Sequence, residues 1–435
     1  MTWLTKILLK TGPAKEKENI VWNMAGSFCY AFASMVLSFL VMRVIGEEEG
    51  GIFSFGFSAF GQQMFLIAYF GIRSYQVTDM KGEYSFGDYW HHRILTSAGA
   101  VAAGLVYLTV CVLLLPQRYS IYKAVVIFLL VCYKVIDGFA DVYESEFQRN
   151  GNLHLTGKAN TFRTILTVSV FLLSLVAWHN LLWSCIFAVA AQILGLYVFD
   201  IQVLRGLERV DRGWVKSSMS GIFKSTSLLF VSVFLDFYIF SASKYAIDAY
   251  LDDAASGHFN VIFMPTSIIN LAAGFVIRPF LTYLTEYWDQ KQYREFEQML
   301  KRLCIMIGGL SVLAVGGTCL LGKPVLTLLE SLLGNAYTGK LTIHYVPFIL
   351  IVTGGAFYAL LNLFYYVLVI LRKQKLIFYL YLGLTVLAAV LSPMLVKPAG
   401  IFGAAVAYLI LMIIMAVCFV GGGVRTYCYE KRLRG

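Results

Sequence analysis

Twelve stretches of this sequence stay apolar long enough to cross a bilayer as helices, and that feature decides most of what the chain can fold into. Crossing roughly 30 Å of hydrocarbon takes about 20 helical residues. The runs lie at 20–45, 51–72, 93–115, 123–143, 158–178, 181–203, 220–243, 257–283, 301–322, 345–371, 375–396 and 399–421. They are continuously apolar, whereas membrane β-strands alternate over about ten residues. Of 435 residues, 59% are apolar and 14% charged. A soluble fold of this size could not hide that much hydrocarbon. The expected fold is all-α and polytopic.

Twelve crossings put both termini on one side, and basic residues choose the side. Lys6, Lys10, Lys15 and Lys17 precede the first run. Arg205, Arg209, Arg212 and Lys216 follow the sixth, Arg372, Lys373 and Lys375 the tenth, and Arg425, Lys431, Arg432 and Arg434 the last. Acidic groups gather opposite, at Glu47-Glu48-Glu49 and at Asp248, Asp252 and Asp253. Both termini are therefore expected in the cytoplasm. The formal net charge of +10 sits at the ends of apolar runs, which makes anionic lipid headgroups, not nucleic acid, the expected partner. The first nineteen residues are too polar for a cleavable signal peptide. The eight cysteines form no ligand spacing and read as packing residues. Residues 324–334 look like a short amphipathic helix on the outer surface.

The halves repeat weakly. Glu47-Glu48-Glu49-Gly50-Gly51-Ile52-Phe53 is answered by Asp252-Asp253-Ala254-Ala255-Ser256-Gly257-His258-Phe259. Phe70-Gly71-Ile72-Arg73 is answered by Phe275-Val276-Ile277-Arg278. The runs therefore divide into a cytoplasmic segment (1–19), a six-helix bundle (20–203), a linker (204–219), a second bundle (220–424) and a basic tail (425–435). Six is even, so the two copies share one orientation and should be related by an axis along the membrane normal, a transporter architecture.

Ionisable groups inside apolar runs cost about 2.5–3.5 kcal/mol each on insertion scales and need an account. In the fourth run, Lys134, Asp137, Asp141, Glu144 and Gln148 recur at intervals of three and four and share one helix face. Lys134 and Asp137 can pair at i, i+3. Two readings of the stripe stand: a buried ion-pair seam, or the wall of an aqueous cavity in which Asp137 or Asp141 binds a coupling cation. Asp236, mid-span in the seventh run, either faces Lys134 across the halves or is a satisfied structural carboxylate. Gln62, Gln63, Asn270 and Asn362 lie near mid-depth; such amides suit sugar hydroxyls and also serve as interhelical glue. Arg73 and Arg278 occupy matching places at the expected cytoplasmic mouth, where guanidinium forks either anchor topology or receive a pyrophosphate. Gly317 to Lys323 mimics a nucleotide loop, but Pro324 stands where Ser or Thr is required. His91, His92 and His154 read as solvated loop residues. No hydrolase or kinase signature is present, so no enzyme activity and no cofactor are expected.

Several segments carry a family likeness: Val21-Trp22-Asn23-Met24-Ala25-Gly26-Ser27, Val41-Met42-Arg43-Val44-Ile45-Gly46, Gly71-Ile72-Arg73-Ser74-Tyr75-Gln76 and Glu146-Phe147-Gln148-Arg149-Asn150-Gly151. They resemble the polysaccharide transporter family of the MOP superfamily, which holds the Wzx-type repeat-unit flippases. The resemblance implies twelve helices in two bundles. It implies a flippase moving undecaprenyl-pyrophosphate-linked oligosaccharide from the inner to the outer leaflet of a bacterial plasma membrane, by alternating access. Coupling to H+ or Na+ and association with a polymerase and assembly proteins fit that picture. The sister lipid II flippases carry an arginine cluster in the first bundle; Gln62 and Gln63 stand at mid-span here, which fits a longer neutral glycan. The alternatives are a multidrug/cation antiporter of the same superfamily, a membrane enzyme, and a non-transporting scaffold.

Overall fold

The computed structural model describes residues 5, 8–10, 12, 14–79, 82–207, 210–215 and 218–434, with side chains to 432. Lys6, Arg209, Lys216 and the Arg434 side chain, counted above for topology, lie outside the described residues. Among the described residues the regular structure is helical: α1 (Lys15–Ile45), α2 (Glu47–Thr78), α3 (Phe86–Leu114), α4 (Ile121–Arg149), α5 (Leu153–Trp178), α6 (Leu181–Arg205), α7 (Ser218–Tyr250), α8 (Asp253–Asp289), α9 (Tyr293–Leu333) and α10 (Tyr345–Ile370). A last stretch, Gln374–Arg434, is two helices that meet at Gly400, where φ is +56°. They are α11 (374–399) and α12 (401–434).

Ten of these stretches are long and apolar enough to cross a membrane, which makes this a multi-pass membrane protein. The exception, α4, matches the others in length, but its charges set it apart. Side-chain caps close several starts: Ser85 and Asp88 form a capping box on α3, Ser120 takes the Lys123 N–H, Asn180 that of Trp183, and Asp252 that of Ala255.

The chain packs as two units, one reaching to Phe234 and the other starting at Leu235, so the division falls inside α7. In the first unit α1 lies on α5, α5 on α6, and α4 packs against α2, α3, α5 and α6. The α1–α5 crossing is backbone on backbone. A Cβ on Gly157 would come within 2.1 Å of the Trp22 carbonyl oxygen, and one on Gly26 within 2.8 Å of the Gly157 oxygen. In the second unit α10 packs with α8, α9, and the α11–α12 pair.

The helix α2 is interrupted twice. A π turn occupies Gly56–Phe60, and Phe70 and Gly71 take left-handed dihedrals with φ of +50° and +68°. The second break frees carbonyls that lipid cannot satisfy. Arg93 donates to the Ala68 oxygen at 3.1 Å and to that of Tyr69, and Thr96 Oγ1 donates to the Ala68 oxygen at 2.8 Å.

Two sequence expectations fail here, while the rejection of a nucleotide loop holds. Residues 324–333 are not a separate surface helix but the end of α9, a continuous helix of 41 residues with Pro324 inside it. The same helix absorbs Gly317 to Lys323, so no phosphate-binding loop exists there. His91 and His92 lie on α3 and His154 on α5; His92 and His154 are buried. The histidines were misread because the apolar count at α3 and α5 starts several residues after the helices do.

Candidate functional site

The acidic stripe of α4 meets arginines from three neighbouring helices. Arg163 of α5 donates from Nη2 to Asp137 Oδ1 at 3.0 Å and to Glu144 Oε1 at 2.7 Å, and from Nη1 to Asp200 Oδ2 of α6 at 2.6 Å. Arg93 of α3 reaches Asp141 Oδ2 at 2.8 Å. Arg73 of α2 reaches Asp141 Oδ1 at 2.6 Å and Glu144 Oε2 at 3.5 Å, and donates to Gln148 Oε1 at 3.0 Å. Gln192 of α6 adds a longer bond to Asp137 at 3.4 Å. Asp200 is delivered by a second π turn, Leu196–Ile201; such turns re-aim side chains and often mark functional sites.

Lys134 does not pair with Asp137. Its ammonium donates to the Tyr30 hydroxyl at 3.1 Å and sits 3.9 Å from the centre of the Phe57 ring. The π turn of α2 supplies that ring, and Arg163 takes the carboxylate instead. Counting Lys134, four cations (Lys134, Arg73, Arg93, Arg163) stand among four carboxylates (Asp137, Asp141, Glu144, Asp200), so the cluster is formally neutral. Neutrality and shared partners are what let so many charges persist away from water. Side-chain exposure is 0% for Arg93, 3% for Arg163 and 25% for Arg73. Only Arg73 offers an accessible edge. The stripe is thus an ion-pair seam tying α4 to its neighbours, open at one end.

Two of the family-like segments face each other beside that opening. Gln76 donates to Glu146 Oε2 at 3.0 Å and to the Val142 oxygen at 3.1 Å, while Arg73 reaches Gln148. Arg149 binds Asp79 and the Tyr84 oxygen in the α2–α3 connection, each at 3.2 Å.

The remaining candidate residues are scattered. Gln63 is buried and donates to the Phe234 oxygen at 2.9 Å, with its Oε1 lacking a partner among the described residues; Gln62 is half-buried. In the second unit Asp236 accepts from the Tyr358 hydroxyl at 2.7 Å, and its Oδ1 is shielded and without a hydrogen bond among the described residues. Asn270 and Asn362 are half-buried, and Asn270 Oδ1 also lacks a partner. Arg278 is exposed at the short turn Arg278–Phe280. Arg73 and Arg278 therefore match in sequence position but not in environment, one held by carboxylates and the other exposed.

Arg93, Arg163 and Asp200 escaped the sequence reading. Each sits singly within a few residues of the end of an apolar run, where a charge passes for a topology anchor. Besides Gln62 and Gln63, from which the contrast with lipid II flippases is drawn, the first unit holds Arg73, Arg93 and Arg163, each paired with a carboxylate.

No family model matches the chain, and neither does any curated protein. Solved structures do. A multidrug-resistance MATE transporter of the MOP superfamily, in an inward-facing conformation, aligns with a TM-score of 0.67 at 12% identity over 96% of this chain and 99% of that one. The lipid II flippase MurJ, inward closed, aligns at 0.66 and 12% identity over 93% and 87%. A Vibrio cholerae MATE transporter, VcmN, aligns at 0.61 and 14% identity over 99% and 98%. The chain shares the fold of these MATE and MurJ structures. Within that fold, the charged seam and the Asp236–Tyr358 pair belong to the first and second unit respectively.

Proposed function

We propose that this protein is a flippase for lipid-linked oligosaccharide, carrying an undecaprenyl-pyrophosphate glycan from the inner to the outer leaflet of a bacterial plasma membrane, with both termini cytoplasmic, by alternating access. The observation that carries the reading is Arg73. It is the one arginine of a neutral buried cluster with an accessible edge, and a guanidinium fork matches a phosphate as well as a carboxylate. A pyrophosphate arriving at Arg73 displaces Asp141 and Glu144 from it. Arg93 still holds Asp141 and Arg163 still holds Glu144, but the four carboxylates then face three cations, and uptake of one H+ or Na+ restores neutrality; Asp137, on the same face, shares in that exchange. Cation coupling follows from the charge count. Gln62, Gln63, Asn270 and Asn362 supply donors and acceptors for sugar hydroxyls, and Arg278 is a second, exposed guanidinium for phosphate.

The test is translocation of a fluorescent polyprenyl-pyrophosphate glycan in vesicles. Arg73→Ala is expected to abolish it while the protein stays inserted. Undiminished translocation by that variant removes Arg73 from the path. A second reading, cation-coupled export of organic cations, is favoured by Asp236, whose Oδ1 is shielded and unbonded among the described residues. Asp236-dependent efflux of a cationic dye, with no glycan translocation, would decide for it.

A further inference from the structure

The end of the second unit where α11 begins and α12 leaves the apolar run holds a groove of about 830 Å³. None of the roles above uses it. Its floor is apolar and open. A Cβ on Gly421 would meet nothing within 4 Å, and one on Gly422 would meet only Leu376 Cδ2 and Leu380 Cδ1, at 3.7 and 3.8 Å. Its rim is basic, with Lys373, Arg425 and Arg432 among the lining residues. Positions 418, 421, 425, 429 and 432 recur at intervals of three and four, so Arg425, Arg432 and Gly421 share one face of α12. Lys373 is neutralised by Glu430 at 2.6 Å. Arg425 and Arg432 are exposed, and no carboxylate among the described residues pairs with either.

Two unneutralised guanidiniums above a hydrocarbon floor, at the end of membrane helices, have the two-part character of a phospholipid. A free phosphate would use the rim and leave the floor bare; a neutral acyl chain would use the floor and leave the arginines uncompensated. Basic pockets at the ends of membrane helices hold anionic headgroups, with about 1 kcal/mol per basic residue. We propose that this groove is a binding site for an anionic phospholipid of the surrounding bilayer. Its phosphate lies between Arg425 and Arg432, and its acyl chains lie against Gly421, Gly422, Leu376 and Leu380. The site is independent of the glycan cargo and of Arg73.

The experiment is retention of lipid by the purified full chain, measured by native mass spectrometry after exchange into detergent with phosphatidylglycerol, with phosphatidylcholine or with soluble glycerol phosphate. Phosphatidylglycerol is expected to be retained over phosphatidylcholine, and glycerol phosphate not to be retained. Arg425→Gln with Arg432→Gln should weaken retention about 30-fold. Gly421→Leu with Gly422→Leu should also displace the lipid while keeping every charge, because both positions have room for a side chain. Equal retention of the two phospholipids, retention of glycerol phosphate alone, or unchanged phosphatidylglycerol binding in both double variants would each overturn the proposal. Matching elution volumes and melting temperatures in detergent exclude misfolding as the cause.

Discussion

Arg163 lies with one nitrogen, Nη2, 3.0 Å from Asp137 and 2.7 Å from Glu144, two carboxylates seven residues apart on α4. Its other nitrogen holds Asp200 at 2.6 Å. One side chain thus pins two turns of α4 and the π turn of α6 to α5. Removing one partner of a buried pair costs about 3–5 kcal/mol, because the other charges stay buried and uncompensated. Arg163→Gln is expected to lower stability by at least that much, measured as loss of folded protein in detergent melts. A variant that melts like the parent would show that water reaches these carboxylates.

Arg73 is the contrasting case. With a quarter of its side chain accessible and Arg93 still holding Asp141, Arg73→Ala should cost roughly 1 kcal/mol or less in stability. Its effect should fall on translocation. Equal destabilisation by Arg73→Ala and Arg163→Gln would mean that the seam has no open end.

If charge exchange at the seam couples flipping to a cation, Asp141→Asn should flatten the dependence of translocation on pH or sodium while leaving the protein inserted. Asp236→Asn, on the second unit, should leave that dependence unchanged under the flippase reading and abolish it under the antiport reading. Initial rates in vesicles with imposed gradients separate the two.

The crossing of α1 and α5 admits no side chain. Gly157→Ala would place a methyl 2.1 Å from the Trp22 carbonyl oxygen, a backbone clash that only separation of the helices can relieve. The expected loss is roughly 1–3 kcal/mol, read as reduced yield and a lower melting temperature, whereas Gly99→Ala, with nothing within 4 Å, should be silent.

The α2–α3 connection should be acid-sensitive. Burial pushes the Asp79 carboxyl up, but the Tyr84 and Glu83 backbone N–H groups, the Tyr89 hydroxyl and Arg149 outweigh it and hold it below its ordinary value. A depressed carboxylate stabilises the fold above its unfolded pKa, about 3.9, and that contribution disappears as pH falls through the lower folded value. Arg149→Gln should therefore reduce the fall in melting temperature between about pH 5 and pH 3. An identical pH profile in the variant would remove Asp79 from the connection's stability.

Much of this was legible in the sequence. The crossings follow from apolar length, and the α4 stripe from its spacing of three and four. Its partners were not legible, because Arg93, Arg163 and Asp200 come from other helices and none has a periodic companion on its own. The i, i+3 rule failed at Lys134 because a guanidinium fork from α5 outcompetes an ammonium for Asp137, leaving the lysine to Tyr30 and Phe57. The left-handed Phe70 carries no local signature either; only Gly71 beside it hints at a break. Conversely, the family-like Trp22 to Gly26 segment has a packing explanation in the Gly157 contact.

The left-handed pair at Phe70 and Gly71 makes α2 two rods joined by an elbow. Arg93 clamps the end of the longer rod through the Ala68 and Tyr69 oxygens, while the shorter rod carries Arg73 and Gln76 and is held through their side chains. Asp141 is gripped at once by the short rod, through Arg73, and by Arg93 of α3, which also clamps the long rod. Releasing both Arg73 and Gln76 would therefore let the short rod pivot without unwinding a single turn of the long one.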